Sequence, residues 1–169
     1  MKTRMCLSVS VKLMQLYAIV KTQGRWSNGS SEAILRKLCE LIDLKEVLVY
    51  TSGKPHFLND KLFVSVSHSE NLMVIAFDSS EIGIDIERNR DIKKEVIDRV
   101  TLDEKDPLFD WCQREATIKL HNDPEYLFKS APTDTYFKTE QVYDGFTCVI
   151  ASKKPLSKVS LYHLKESSL

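Results

Sequence analysis

Residues 81–87 read Glu-Ile-Gly-Ile-Asp-Ile-Glu, an alternation of isoleucine with small or acidic residues. Successive side chains of a β-strand point to opposite faces, so this period of two predicts a strand with Asp85 and Glu87 together on one face. Like charges on neighbouring positions of one face are unfavourable unless solvent or a cation separates them. The polar face is therefore predicted to be either an exposed sheet surface or a site for a hard divalent cation, which prefers oxygen ligands.

The charge balance argues against a surface dedicated to nucleic acid or membrane lipid. Among the 169 residues, 24 basic side chains are matched by 24 acidic ones, so the chain carries no net charge. No apolar run reaches the roughly 18 residues that a membrane-spanning helix needs. Recognition of a phosphate group must therefore come from a local cluster of basic residues.

The beginning of the chain and the cysteines bear on the compartment. Apolar and polar residues alternate over 7–13, which predicts a first strand instead of a secretory signal helix. The four cysteines include no Cys-x-x-Cys pair, which argues against a zinc site and is typical of reduced, buried thiols. We therefore expect a cytoplasmic protein. The cysteines are Cys6, Cys39, Cys112 and Cys148.

The order of helical and strand patterns predicts an α+β fold. Apolar residues spaced three and four apart predict helices at 32–42, at about 92–100 and at 106–120. The last of these begins with Asp106 as N-cap and Pro107 as first helical residue. Short apolar runs bounded by turn residues predict strands at 47–50, 62–66, 72–77, 81–87, 136–141, 146–151 and 159–164.

The same order suggests two similar halves, residues 1–80 and 81–169, which pack as one unit. No sequence repeat links the halves, so element order alone suggests the duplication. The short connection 78–80 predicts an antiparallel hairpin between the strands on either side of it. Residues 52–55 and 67–69 are predicted to be turns, and Thr101 with Glu104 resembles a capping box.

Several chemistry-bearing residues are ordinary when taken singly. Glu115 and Lys119 lie four apart on the helix 106–120 and share a face, but such a pair is a common surface feature worth about 0.2 to 0.5 kcal/mol. A single histidine between serines, such as His68, is more often a hydrogen-bonding turn residue than a catalyst. Gly53, Lys54 and Pro55 alone indicate only a turn.

Taken together and in order, these segments resemble the 4'-phosphopantetheinyl transferase family. The resemblance rests on Gly-Lys-Pro at 53–55, Ser-His-Ser at 67–69, Ile-Gly-Ile-Asp-Ile-Glu at 82–87 and Trp-x-x-x-Glu-Ala-x-x-Lys at 111–119. The last two motifs are the specific ones. The match is to the longer, surfactin-synthetase-activating type, which implies two similar α+β halves related by pseudo-twofold symmetry. It also implies a monomer, with a weak dimer left open.

The resemblance implies an enzyme that transfers the 4'-phosphopantetheine arm of coenzyme A to a serine of an apo acyl, peptidyl or polyketide carrier protein. Adenosine 3',5'-bisphosphate is the other product. By the same resemblance Asp85, Glu87 and Glu115 hold magnesium, and Lys119 contacts a phosphate. The implied catalytic residues are Asp85, Glu115 and Lys119, and the base is either Glu115 or a metal-bound water.

The remaining implied contacts concern coenzyme A. His68 and Ser67 hydrogen-bond coenzyme oxygens, and Lys54 lies near the adenine and ribose. Arg114 stands where the family has lysine, which keeps the charge and changes the donor geometry. Two alternatives stay open: a catalytically weak or inactive relative that binds coenzyme A or a carrier domain, and a generic metal-dependent phosphate enzyme.

Overall fold

The structure is a computed structural model that describes residues 14–27, 29–59, 61–156 and 158–169. Cys6 and the strand predicted over 7–13 lie outside these ranges. Within them the α-helices are α1 (Ser30–Leu41), α2 (Lys94–Val100) and α3 (Pro107–His121), and short 3-10 helices follow at Pro124–Leu127 and Glu166–Ser168. The strands are β1 (Met14–Val20), β2 (Leu48–Thr51), β3 (Lys54–Phe57), β4 (Phe63–Ser69), β5 (Leu72–Asp78), β6 (Ile82–Arg88), β7 (Tyr136–Thr139), β8 (Phe146–Ser152) and β9 (Val159–Lys165).

The α+β class is as predicted, and the strands form two larger sheets. The first sheet has the order β4-β5-β1-β9, and the second has the order β6-β8-β7. Neighbouring strands are antiparallel except β1 and β9, which are parallel. Strands β2 and β3 form a separate hairpin. No helix in the described ranges is long and apolar enough to cross a membrane.

The two sheets share a pattern of connection. The first unit contains β1, α1, β4 and β5, and its strands have the order β4-β5-β1. The second unit contains β6, α3, β7 and β8, and its strands have the order β7-β8-β6. In each unit the last strand lies in the middle and pairs with the first. Strand β9 then returns to the first sheet beside β1, so the end of the chain joins the sheet built by its beginning.

Side-chain alternation stacks these elements into layers. Along β1, Leu16 and Ala18 belong to the core between the two sheets, whereas Tyr17 and Ile19 belong to the core beneath α1. The isoleucine face of β6 packs into the core between the sheets, as the period of two predicts. Helix α3 packs on the opposite face of the second sheet.

The predicted hairpin between residues 72–77 and 81–87 is wrong. Strand β5 pairs with β4 and β1, and β6 pairs with β8 in the other sheet. Asp78 Oδ1 accepts a 2.8 Å hydrogen bond from the Ser80 N–H, which turns the chain out of the first sheet. Every residue of β5 is buried, because sheet neighbours occupy both of its edges and both of its faces are covered.

Three predicted turns or caps also differ. Residues 67–69 belong to β4, and the turn falls after them at Glu70, whose φ is 54°. Lys54 begins β3, so only residues 52 and 53 turn the chain. Thr101 is the left-handed C-cap of α2 instead of an N-cap, whereas Asp106 caps α3 as predicted by accepting from the Phe109 N–H at 3.1 Å.

Candidate functional site

Helix α3 lies directly on the polar face of β6 because Gly83 has no side chain. A Cβ atom at Gly83 would lie 1.9 Å from the Ala116 carbonyl oxygen and 2.6 Å from the Leu120 nitrogen. The helix therefore covers the face that carries Asp85, of which only 5% is exposed. This face is not the exposed sheet surface that one interpretation of the sequence predicts.

The two oxygens of Asp85 have different surroundings. Oδ1 accepts hydrogen bonds from Ser67 Oγ at 2.8 Å and from Lys119 Nζ at 2.8 Å. Lys119 Nζ also donates to the Ile84 carbonyl at 2.9 Å. Oδ2 is buried without a hydrogen-bond partner. A buried, unpaired carboxylate oxygen is costly, so it indicates a place for a further ligand.

A row of serine hydroxyls joins β4 to β6, which belong to different sheets. Alternate β4 serines accept hydrogen bonds from alternate β6 N–H groups: Ser65 from Ile84 at 3.0 Å, Ser67 from Ile86 at 3.4 Å and Ser69 from Arg88 at 3.0 Å. Ser69 Oγ also donates to Glu87 Oε2 at 3.0 Å. We call this row the serine seam.

Glu87 and Glu115 share the electrostatic surroundings of Asp85. Burial raises the pKa of both carboxyls, and the negative charge of Asp85 raises both pKa values further. The hydrogen bond from Ser69 opposes the rise for Glu87, and the charge of Lys119 opposes it for Glu115. The predicted metal ligands are therefore close enough for their charges to interact.

The carboxyls fit magnesium better than a metal enclosed by protein ligands. Within the described ranges no group of three or more His, Cys, Asp or Glu side chains is arranged to hold a metal ion. Magnesium, however, usually takes one or two carboxylates and completes its shell with water and phosphate oxygens. Asp85 Oδ2, which is buried and accepts no hydrogen bond, is the oxygen that would bind such an ion.

A cavity of about 390 Å³ lies beside this cluster. It brings together the residues predicted to contact coenzyme A, because Lys54, Ser67, His68 and Lys119 all line it. Its volume falls within the roughly 300 to 1,000 Å³ range of small-molecule sites. Lys54 also donates to Asn122 Oδ1 at the C-terminal end of α3, which joins the β2–β3 hairpin to the helix.

The surroundings of His68 at this cavity lower its pKa and so favour the neutral imidazole. Burial lowers its pKa, and the positive charge of Lys119 lowers it further, while Asp85 acts in the opposite direction. A neutral imidazole donates one hydrogen bond and accepts another. His68 is therefore suited to contact a phosphate as a hydrogen-bond donor without a charge of its own.

Arg114, which stands where the resembled family has lysine, contacts backbone carbonyls of neighbouring segments. Its guanidinium donates to the carbonyls of Val100 at 2.8 Å, Thr101 at 2.9 Å and Leu127 at 2.7 Å, and it forms a salt bridge with Asp110. These contacts fasten the end of α2 and the segment after α3 to α3. Arg114 is therefore a structural residue here.

Sequence reasoning missed the serine seam. Ser65 was not singled out and Ser69 was given no contact of its own, although Ser-x-Ser-x-Ser at 65–69 has the same period of two as the acidic strand. That shared period is the signal that would have found the serine seam. The significance of Gly83 was missed as well, because only the packed helix shows why a side chain is excluded there.

The chain matches no protein-family model and no curated protein.

Proposed function

We propose that this chain is a magnesium-dependent 4'-phosphopantetheinyl transferase that modifies a serine of an apo carrier protein with the arm of coenzyme A. One observation carries the proposal. Lys119 lines a cavity together with Lys54 and His68, and its ammonium forms a salt bridge with Asp85, whose charge interacts with those of Glu87 and Glu115. Transfer of a phosphate-linked group from a pyrophosphate requires carboxylates that bind a hard cation and, next to them, hydrogen-bond donors that bind phosphate.

The fold supports the same proposal. We propose that the two units with matching strand order are the two halves of a pseudo-twofold architecture. The cluster of carboxyls lies at the serine seam, where a strand of one unit meets a strand of the other. A site between two similar halves agrees with the longer type of this family that the sequence resembles.

Lys119 has a donor left for a phosphate. An ammonium group has three N–H donors, and two of them are used by Asp85 Oδ1 and the Ile84 carbonyl. Because Lys119 also lines the cavity, the third donor serves a phosphate oxygen there. His68 supplies a neutral hydrogen bond and Lys54 a second positive charge at the same cavity.

The three carboxyls have two different roles, which are to hold the metal ion and to accept a proton. Asp85 and Glu87 would hold the magnesium ion, which when bound would neutralise charge on the pyrophosphate. Glu115 accepts the proton of the carrier serine, directly or through one water, as the serine oxygen bonds to the phosphorus of the arm. The bond from that phosphorus to adenosine bisphosphate then breaks. Burial raises the pKa of Glu115, which makes it a stronger base than an exposed glutamate.

The test is incubation with coenzyme A, magnesium and a panel of apo acyl, peptidyl and polyketide carrier proteins, followed by intact-protein mass spectrometry. We expect one phosphopantetheine arm on at least one carrier. Asp85→Asn should remove the transfer while retaining the fold, whereas Asp91→Ala, at an exposed position outside the site, should retain it. If none of the carrier proteins gained the arm, the proposed transferase activity would be refuted.

The second candidate is a relative that binds coenzyme A or a carrier domain without transfer. The observation in its favour is the salt bridge from Lys119, which already neutralises Asp85. Calorimetry with coenzyme A separates the two candidates. Binding that is unchanged by magnesium, together with absent transfer, would favour the second.

A further inference from the structure

We propose that Ser67 and Ser69 are positioning residues that hold Asp85 and Glu87, so that one oxygen of each carboxylate is kept for the site. This inference rests on the proposed function for its purpose, although its geometry can be tested independently. It assigns to Ser67 a role other than the coenzyme contact that the family resemblance implies. Ser69 has no role in that resemblance.

The single hydroxyl proton of Ser67 is already used in a hydrogen bond to Asp85. A serine hydroxyl has one proton to donate and two lone pairs to accept with. Ser67 Oγ accepts from the Ile86 N–H at 3.4 Å and donates to Asp85 Oδ1 at 2.8 Å. Because only 8% of Ser67 is exposed, solvent offers little competition for that proton.

The same unit is repeated one step along the strands. Ser69 Oγ accepts from the Arg88 N–H at 3.0 Å and donates to Glu87 Oε2 at 3.0 Å. In both cases a β4 serine bridges the carboxylate of one β6 residue and the N–H of the next. The repeat follows the two-residue period of the strands, so both acidic side chains are held by one kind of contact.

The consequence for Asp85 is a difference between its two oxygens. Ser67 and Lys119 both donate to Oδ1, and Oδ2 has no protein partner. A carboxylate held through one oxygen presents the other in one direction, which lowers the cost of ordering it when a ligand binds. Removing a contact of this kind from a metal-binding side chain typically lowers metal affinity or activity about 10- to 100-fold.

Ser65 provides a matched control within the same seam. It accepts from the Ile84 N–H at 3.0 Å, as Ser67 and Ser69 accept from their own partners. The β6 residue at the corresponding carboxylate position is Gly83, which has no side chain to hold. Ser65→Ala therefore removes a seam hydrogen bond without removing any carboxylate contact.

The first measurement is the side-chain rotamer of Asp85 in the unliganded protein, from three-bond scalar couplings across its Cα–Cβ bond. We expect one rotamer in the wild type and in Ser65→Ala, and averaged couplings in Ser67→Ala. Ser67→Thr keeps the hydroxyl and should restore the single rotamer. Equal couplings in Ser65→Ala and Ser67→Ala would overturn the proposal, whether or not the protein transfers phosphopantetheine.

The second measurement separates positioning from coenzyme contact. Ser67→Ala and Ser69→Ala should lower kcat and weaken Mn²⁺ binding by about 10- to 100-fold, with the KM for coenzyme A nearly unchanged. Ser65→Ala should leave the Mn²⁺ affinity unchanged, although it should lose stability as Ser67→Ala does. A raised KM with unchanged kcat in Ser67→Ala would instead assign Ser67 to the coenzyme and overturn the proposal. Absence of transfer by the wild type would refute the proposed function. The couplings and Mn²⁺ affinities would then still test whether Ser67 and Ser69 position the two carboxylates.

Discussion

Lys119 Nζ lies 2.8 Å from Asp85 Oδ1 and links helix α3 to strand β6 through a largely buried salt bridge. Only 7% of the Asp85 side chain is exposed, against 25% of the Lys119 side chain. A buried pair of this kind stabilises little compared with an apolar pair, but the loss of one partner leaves an uncompensated charge. The pair therefore couples the packing of α3 to the candidate site.

Lys119→Met should destabilise the protein by about 3 kcal/mol, the lower end of the range for breaking a buried pair. The reason for the lower end is that Lys119 keeps part of its side chain in solvent. Adding Asp85→Asn should recover much of this loss, because the amide carries no charge. Urea unfolding measures both variants.

The control for this prediction is Lys45→Met, which removes an exposed partner of Asp43 and should cost less than about 1 kcal/mol. If the double variant lost as much stability as the two single variants combined, the two residues would not act as a pair.

Glu115→Gln should make the protein more stable at neutral pH and inactive in transfer. Burial raises the pKa of Glu115 in the folded state above its ordinary value of 4.5. Between these two pKa values the folded state binds more protons than the unfolded state, so stability falls as the pH rises through that window. Glutamine does not ionise and avoids this loss.

The gain from Glu115→Gln should therefore disappear below pH 4.5, where the glutamate is protonated in both states. Urea unfolding at pH values below and above the window measures it, with Glu95→Gln on exposed α2 surface as control. A gain of equal size at both pH values would contradict the ionisation argument.

Gly83→Ala should be among the most damaging small substitutions in the chain. The new Cβ would overlap backbone atoms of α3, which cannot move aside as a flexible side chain does. We expect a loss of at least about 3 kcal/mol together with loss of transfer, because the helix that carries Glu115 must shift.

Gly24→Ala is the comparison for Gly83→Ala. Gly24 has φ of 75° and open space around its Cα, so alanine there meets only a conformational cost of about 1 to 2 kcal/mol. Thermal or urea unfolding should rank the two variants in this order. The reverse order would show that α3 does not rest on β6 in solution.

Arg114→Lys should cost stability and preserve transfer. Lysine has three donors in place of five and cannot reach three carbonyls and Asp110 together, so we expect a loss of about 2 kcal/mol. Unfolding and transfer rates, measured well below the melting temperature, check both parts of the prediction.

Arg36→Lys provides the contrast to Arg114→Lys, because it alters an exposed pair with Glu32 and should cost less than about 0.5 kcal/mol. A lowered transfer rate with unchanged stability in Arg114→Lys would mean that Arg114 acts in the site.

Local patterns in the sequence predicted most of the individual elements. The Asp106–Pro107 signal marks the start of α3, and the alternation in 81–87 correctly separates the buried isoleucines of β6 from its acidic face. These predictions succeeded because capping and side-chain alternation depend on residues close together in the chain. The turn assigned to residues 67–69 failed because the serines suit a turn as well as a strand that binds through its hydroxyls.

Sequence patterns specify the α+β class, the two faces of β6 and the residue types of the candidate site. The packing of the layers was needed to show that β6 pairs with β8 instead of β5, that α3 covers Asp85, and that the serine seam joins the two sheets. Backbone groups of any two strands can pair, so the choice of partner depends on burying both faces of β5 and on the close approach that Gly83 permits. Those conditions involve residues far apart in the chain and exist only once the layers have packed.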